Sequence, residues 1–331
     1  MRMWKFILAL AATITAGTPA YSWDPQGHKL VGAIADQMLN ANAKQQVAQI
    51  LGFSLQIAAP WPDCVRSIVH KFDPQPKGSF DYLPSPFHPE YRLPCLLFEG
   101  NAEVDRMKDY VERNPANGAY HFADVPIQRD GYDRKYPGTS DHDVVSAINA
   151  AILVLQDQPA PTPFSIKDKK EALFLLAHFV GDIHQPLHVG AVYLDPSNGQ
   201  LVNPPDGTNP DPKTETQGGN LIRDGGSNVH FKWDEVSDAW GPPPGAAMLA
   251  AARAVAATPD PIGGWAASWA SDTVKAAQTA FNGLTFLATP PGWTVIYADR
   301  RKYDQDMDML KGIQLAKGGA RLAQVLNKIW P

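Results

Sequence analysis

Between His178 and His188 the chain reads His-Phe-Val-Gly-Asp-Ile-His-Gln-Pro-Leu-His, placing three histidines and a carboxylate within eleven residues. This run closes an apolar stretch, Ala172 to Val180, whose lack of a polar face marks a buried helix. His178 and Asp182 stand four apart, so on a helix they share one face and can grip one ion. Pro186 cannot continue that helix, because it lacks an N–H and its ring clashes with the preceding turn. The chain must turn there, and the turn can swing His188 back toward the same pocket. Imidazole plus carboxylate, without a cysteine cluster, suits zinc in a hydrolytic site.

The remaining ligands have to come from elsewhere in the chain. His230 and Asp234, in Asn228-Val-His-Phe-Lys-Trp-Asp, repeat the His-x-x-x-Asp spacing, a notable recurrence among nine histidines. Asp63 and Arg66, in Trp61-Pro-Asp-Cys-Val-Arg, lie one turn apart and can face a common site as ligand and phosphate contact, or form a surface ion pair of little worth. Tyr120-His-Phe-Ala-Asp-Val-Pro126 reads as an extended segment. In it His121 can ligate a metal, Phe122 can stack on a nucleobase and Asp124 can accept from its edge, unless Phe122 simply packs in the core.

The first 22 residues read as a removable secretory leader. Arg2 and Lys5 precede an apolar run, Phe6 to Thr15, and Ala20-Tyr-Ser22 is a small-x-small cleavage site. The run is too short to span a bilayer, and no later stretch is long and uncharged enough. The expectation is a secreted or periplasmic protein whose single domain covers residues 23–331. Cleavage moves the formal charge from −5 to −7. So acidic a chain is poorly suited to clamping duplex by phosphate neutralisation, although bound metal can supply local positive charge for a phosphate ester. Cys64 and Cys95 can pair in an oxidising compartment or remain a buried free pair, and two cysteines do not decide between these.

Helical periodicity dominates the rest. Pro25 opens a helix carrying Val31, Ile34, Ala35 and Met38. Asn42–Leu51, Ser67–His70, Ala102–Arg113, Asp141–Gln156, Ala246–Ala257, Trp265–Phe281 and Val295–Trp330 all read as helical, the last with breaks. Pro74–Pro94 and Gln128–Ser140 read as loops. Tyr193–Asn228 is too long for a turn and reads as a functional loop or lid. With few strand patterns, the predicted fold is a mainly α, multi-helix single domain.

Together these motifs resemble the zinc-dependent type I single-strand nuclease family, which includes mung bean nuclease and the secreted fungal nucleases that release 5′-nucleotides, within the phospholipase C/nuclease superfamily. The resemblance rests on Trp23/His28, Trp61-Pro-Asp63, His121-Phe-x-Asp124, the His178–His188 run, Gly218-Gly-Asn220 and Asn228-x-His-x-x-Trp-Asp234, and it covers the mature chain. It implies three Zn2+ ions per chain in one cleft. Asp63, His121, His178 and Asp182 would hold the first, and His188, His230 and Asp234 the second. The Trp23 amine and carbonyl, His28 and a bridging Asp182 would hold the third, so the leader must be cut after Ser22. His184 is then structural or supporting rather than a ligand.

The resemblance also implies hydrolysis of single-stranded DNA and RNA to 5′-phosphate products, with 3′-nucleotidase activity and no obligate protein partner. Clustered zinc acidifies a shared water and clamps phosphoryl oxygens. Arg66 would neutralise transition-state charge, Asp63 would also orient the nucleophile, and Phe122, Asp124 and Asn220 would position the substrate. Two other readings compete: a phospholipase C-like zinc phosphodiesterase, and a zinc-binding protein without turnover. Closed, cysteine-rich coordination would favour the latter, and it is not seen here.

Overall fold

The computed structural model describes residues 23–70, 80–82 and 94–331. The expected leader therefore lies outside the described residues, as does most of the Pro74–Pro94 loop. The fold is mainly α. Helix α1 (Pro25–Asp36) starts at Asp24, whose carboxylate accepts from the Gly27 N–H at 2.8 Å, with Pro25 at the first helical position where its missing N–H costs nothing. Helices α2 (Ala41–Leu51), α3 (Leu55–Ala58) and α4 (Trp61–Val65) follow, then α5 (Asn101–Arg113) and α6 (Val144–Leu155).

The central element is α7 (Lys169–Asp182), capped by the Asp168 carboxylate on the Glu171 N–H. Every residue from Glu171 to Asp182 is buried, because the helix is wrapped on all sides by α1, α3, α4, α6 and the long C-terminal helix. Its one buried carboxylate at the N-terminal end, Glu171, is taken by Arg113 of α5 at 2.8 Å. The helix stops at Asp182. Gln185 then caps α8 (Pro186–Val189), with Pro186 at its first position. Beyond it come α9 (Val229–Asp234), α10 (Ala246–Arg253), α11 (Trp265–Ala280) and α12 (Arg300–Ile329).

Helices α1 and α12 lie unusually close. A Cβ placed on Gly319 would stand 2.4 Å from Cβ of Ile34, so the crossing requires a residue with no side chain there. A large apolar core fills the helical body, and a second one, around Leu187, Val192, Ile222, Trp233, Phe281 and Trp293, sits under a small sheet.

Two helical expectations are corrected. Within Ser67–His70, Ile68–His70 forms strand β1, paired antiparallel with β2 (Phe80–Tyr82). The β-branched Ile-Val pair suits a pleated strand, and Arg66 has already ended α4. Val295–Tyr297 is likewise extended. It ends a hairpin of Leu284–Thr289 and Gly292–Tyr297 turning at Pro290-Pro291, and α12 starts only at Arg300. That hairpin joins Ile222–Asp224 and Ser227–Asn228 in a four-stranded sheet. Trp293 and Val295 alternate inward toward the smaller core. The long Tyr193–Asn228 segment is thus partly ordered by strand pairing.

Candidate metal centre

Five segments converge at the C-terminal end of α7. Helix α1 brings His28, α4 brings Asp63, and the helical turn Asn117–His121 brings His121. His121 therefore ends a turn instead of sitting in an extended strand, and extension begins at Phe122. Helix α7 supplies His178 and Asp182 from one face, α8 supplies His188 after the Pro186 turn, and α9 supplies His230 and Asp234. All eight side chains are buried, none more than 4% exposed. Water is excluded from groups that are costly to bury unless paired or metal-bound.

Three groups of prospective ligand atoms gather within reach of one another: Asp63, His121 and His178; His28, His178 and Asp182; and His188, His230 and Asp234. His178 thus lies within reach of two of the groups. The reason is that the His28 ring stacks flat on His178 at 3.7 Å. Asp182 faces both ways: Oδ2 lies 2.9 Å from His121 Nδ1 and 3.2 Å from His178 Nε2, while Oδ1 lies 3.4 Å from His28 Nε2. That is the geometry of a carboxylate spanning two adjacent positions.

Backbone carbonyls fix which imidazole nitrogens are available. A carbonyl only accepts, so His178 Nδ1 donates to Ala59 O (2.8 Å), His188 Nδ1 to His121 O (2.8 Å) and His230 Nδ1 to Gly218 O (2.9 Å). In the neutral rings each Nε2 then presents a lone pair inward. The Nε2 atoms of His188 and His230 stand 3.1 Å apart. Two inward lone pairs repel unless a cation lies between them; nitrogens sharing a tetrahedral zinc are about 3.4 Å apart. Two buried carboxylate oxygens, Asp182 Oδ1 and Asp234 Oδ2, have no hydrogen-bond partner among the described residues. Donor type, lone-pair direction and orphaned oxygens all fit a multinuclear metal site.

The electrostatics agree. Burial and the neighbouring His178 hold His28 well below the usual imidazole range, and burial with Arg66 pushes His121 down to about 3. Burial opposes ionisation of Asp182, but His178 and the His121 hydrogen bond outweigh it and hold the carboxyl well below its usual range. Burial pushes Asp234 well above it.

Trp23 is fully buried beside this cluster, its Nε1 donating to Gly181 O at 3.0 Å, while the Asp24 N–H donates to Asp234 O at 2.9 Å. Arg66 is largely buried, with Nε 3.7 Å from Asp63 Oδ1. Phe122 and Asp124 are half-buried, and burial with the nearby Glu215 pushes the Asp124 carboxyl up to about 7. Asn220, also half-buried, donates to Gln217 O at 2.9 Å, which ties it to its own turn and not to the ligands. That turn includes Gly218, at φ +59°, whose carbonyl fixes His230. His184 lies in none of the three groups: Nδ1 donates to Val180 O and Nε2 accepts from Arg321 at 3.0 Å. His70 and His88 cannot be placed, as the one's side chain and the whole of the other fall outside the described residues. Sequence reasoning passed over Gln185, whose amide reaches Asp234 at 2.7 Å. A neutral amide between two ligands carries no ligand signature.

Cys64 and Cys95 form a disulfide, which ties α4 to the turn after residue 93. No helix among the described residues is long and apolar enough to cross a membrane.

The S1/P1 nuclease family model matches residues 102–331, a span that contains six of the eight clustered ligands and leaves His28 and Asp63 upstream. Endonuclease 1 of Arabidopsis thaliana is 26% identical over 239 residues, 70% of this chain and 59% of that protein. Endonuclease 3 of the same plant is 23% identical over 200 residues, 58% of this chain and 52% of that protein. The chain thus matches little more than half the length of either relative. With the family model covering well over half of the sequence and spanning six of the eight clustered ligands, the chain belongs to the S1/P1 nuclease family.

Proposed function

We propose that this protein is a secreted zinc-dependent phosphodiesterase that cleaves single-stranded DNA and RNA to 5′-phosphate products and also removes 3′-phosphates from nucleotides. The observation that carries this reading is the inward convergence of histidine lone pairs and carboxylate oxygens at the end of α7. Asp63, His121, His178 and Asp182 would hold one ion, and His188, His230 and Asp234 a second. His28, Asp182, the Trp23 carbonyl and the Trp23 amine that cleavage after Ser22 would free would hold a third. When bound, clustered zinc supplies Lewis acidity and an acidified water near neutral pH.

The chain's own groups do the rest. The eight ligands exclude bulk water and hold Asp182 ionised across two positions. Arg66, anchored against Asp63, faces the anionic substrate and stabilises charge as the phosphoryl group passes through its transition state. Asp63 orients the attacking water. Phe122 stacks on one base and Asp124 accepts from its edge, which demands an unpaired base and explains a single-strand preference. Asn220 contributes a substrate contact from the turn that also holds His230. The disulfide suits an oxidising, extracytoplasmic compartment.

Arg66→Ala tests the reading. Cleavage of single-stranded DNA should fall by about 10²–10³-fold, with metal content per chain unchanged. Full activity in this variant would remove Arg66 from the reaction, and equal cleavage of phospholipid headgroup esters by the native protein would move the substrate class.

A further inference from the structure

The seven residues from Asp182 to His188 contain two ligands at their ends, and between them Gln185, fully buried and chemically uncommitted to metal. Its amide orientation is fixed by its partners. The Leu187 N–H can only donate, so Gln185 Oε1 accepts it at 2.5 Å, and Gln185 Nε2 must be the atom that donates to Asp234 Oδ1 at 2.7 Å. One side chain thus does two jobs. Through Oε1 it caps α8, the four-residue helix whose third residue is His188. Through Nε2 it restrains the carboxylate of Asp234 on α9.

This bond leaves the two oxygens of Asp234 unequal. Oδ1 is occupied by the amide, whereas Oδ2 is the one without a hydrogen-bond partner and lies 3.5 Å from His230 Nε2. Lys311, a buried cation beside this helix, has its Nζ committed to the carbonyls of Lys232 and Glu235, so it holds the backbone at α9 and not the carboxylate. We infer that Gln185 is a positioning residue for the His188–His230–Asp234 site, locking His188 and Asp234 at a fixed separation and leaving a single oxygen of Asp234 to bind metal. The inference rests on the metal-site reading above, and it concerns that one site among three.

Gln185→Glu is the sharpest variant, because it is nearly isosteric and keeps an acceptor for the Leu187 N–H, preserving the α8 cap. It removes the donor to Asp234 and sets carboxylate against carboxylate. The measurement is zinc titration of metal-stripped protein against a chromogenic chelator, on native protein, Gln185→Glu and His230→Ala. In Gln185→Glu one ion of the native complement should bind about 10–100-fold more weakly while the others keep native affinity, and His230→Ala should weaken the same single ion. In steady-state cleavage kcat should fall with little change in KM. Should Gln185→Glu not fold, Gln185→Met, neutral and of similar length, is read in the same way, with the same single-ion weakening expected. Native affinity for every ion in either variant would overturn the inference. Absence of tight zinc binding by the native protein would instead overturn the metal-site reading itself.

Discussion

A single carboxyl, Asp124, carries the clearest pH signature outside the ligand cluster. Burial and Glu215 raise it to about 7, so at acidic pH it is protonated and offers one donor and one acceptor, and above about 7 it is acceptor-only. The Watson–Crick edge of guanine presents adjacent N–H donors, whereas that of adenine pairs a donor with an acceptor. If Asp124 reads a base edge as proposed, cleavage at guanine should gain on cleavage at adenine as pH rises through 7. Asp124→Asn should flatten that trend, and dinucleotide substrates with each base assayed from pH 5 to 9 would show it. A base preference independent of pH in the native protein would remove Asp124 from base contact. At this scale much was legible in the sequence, because His-x-x-x-Asp spacing twice over forces pairs of ligands onto common helix faces. The sharing of His178 between two groups was not legible, since it depends on His28 stacking across from another helix. Nor was the role of Gln185, which appears only once α8 and α9 are docked.

Among the elements, the close approach of α12 to α1 holds the helix that carries His28. Gly319→Ala places a methyl 2.4 Å from Ile34 Cβ, and overpacking of this kind costs about 1–3 kcal/mol. The variant should melt several degrees lower and lose its His28-dependent ion before the other two. Unchanged melting would mean the helices can separate without strain. The α1 and α7 helices were legible from Pro25, from apolar periodicity and from the unbroken run Ala172–Val180. The helix expected from Val295 begins instead at Arg300, although the strand signal is present in the sequence: alternating Trp293 and Val295 after a Pro-Pro-Gly turn. A terminal helix with strong periodicity simply drew the boundary too early. Ser67–His70 failed for a different reason, since its strand is made by a partner, Phe80–Tyr82, that local propensity cannot see.

For the whole molecule, the design is a buried polar cluster inside an otherwise apolar helical body, closed by segments far apart in the sequence. Asp24 at the start of α1 is bonded to the backbone of Asp234 and Val236, so the first described residues are sewn to the last ligand helix. Such a cluster is expensive to bury without cations, and removing them should loosen the molecule as well as stop the chemistry. The most direct test is elemental analysis of the mature protein, zinc per chain, with single-stranded DNA digestion and thermal melting before and after chelation. Near three zinc ions, 5′-phosphate ends, and loss of both cleavage and thermal stability on chelation, restored by zinc, is the expected result. Chelator-resistant cleavage, or a protein that holds no zinc and melts identically with and without it, contradicts the metal-centred reading at its root.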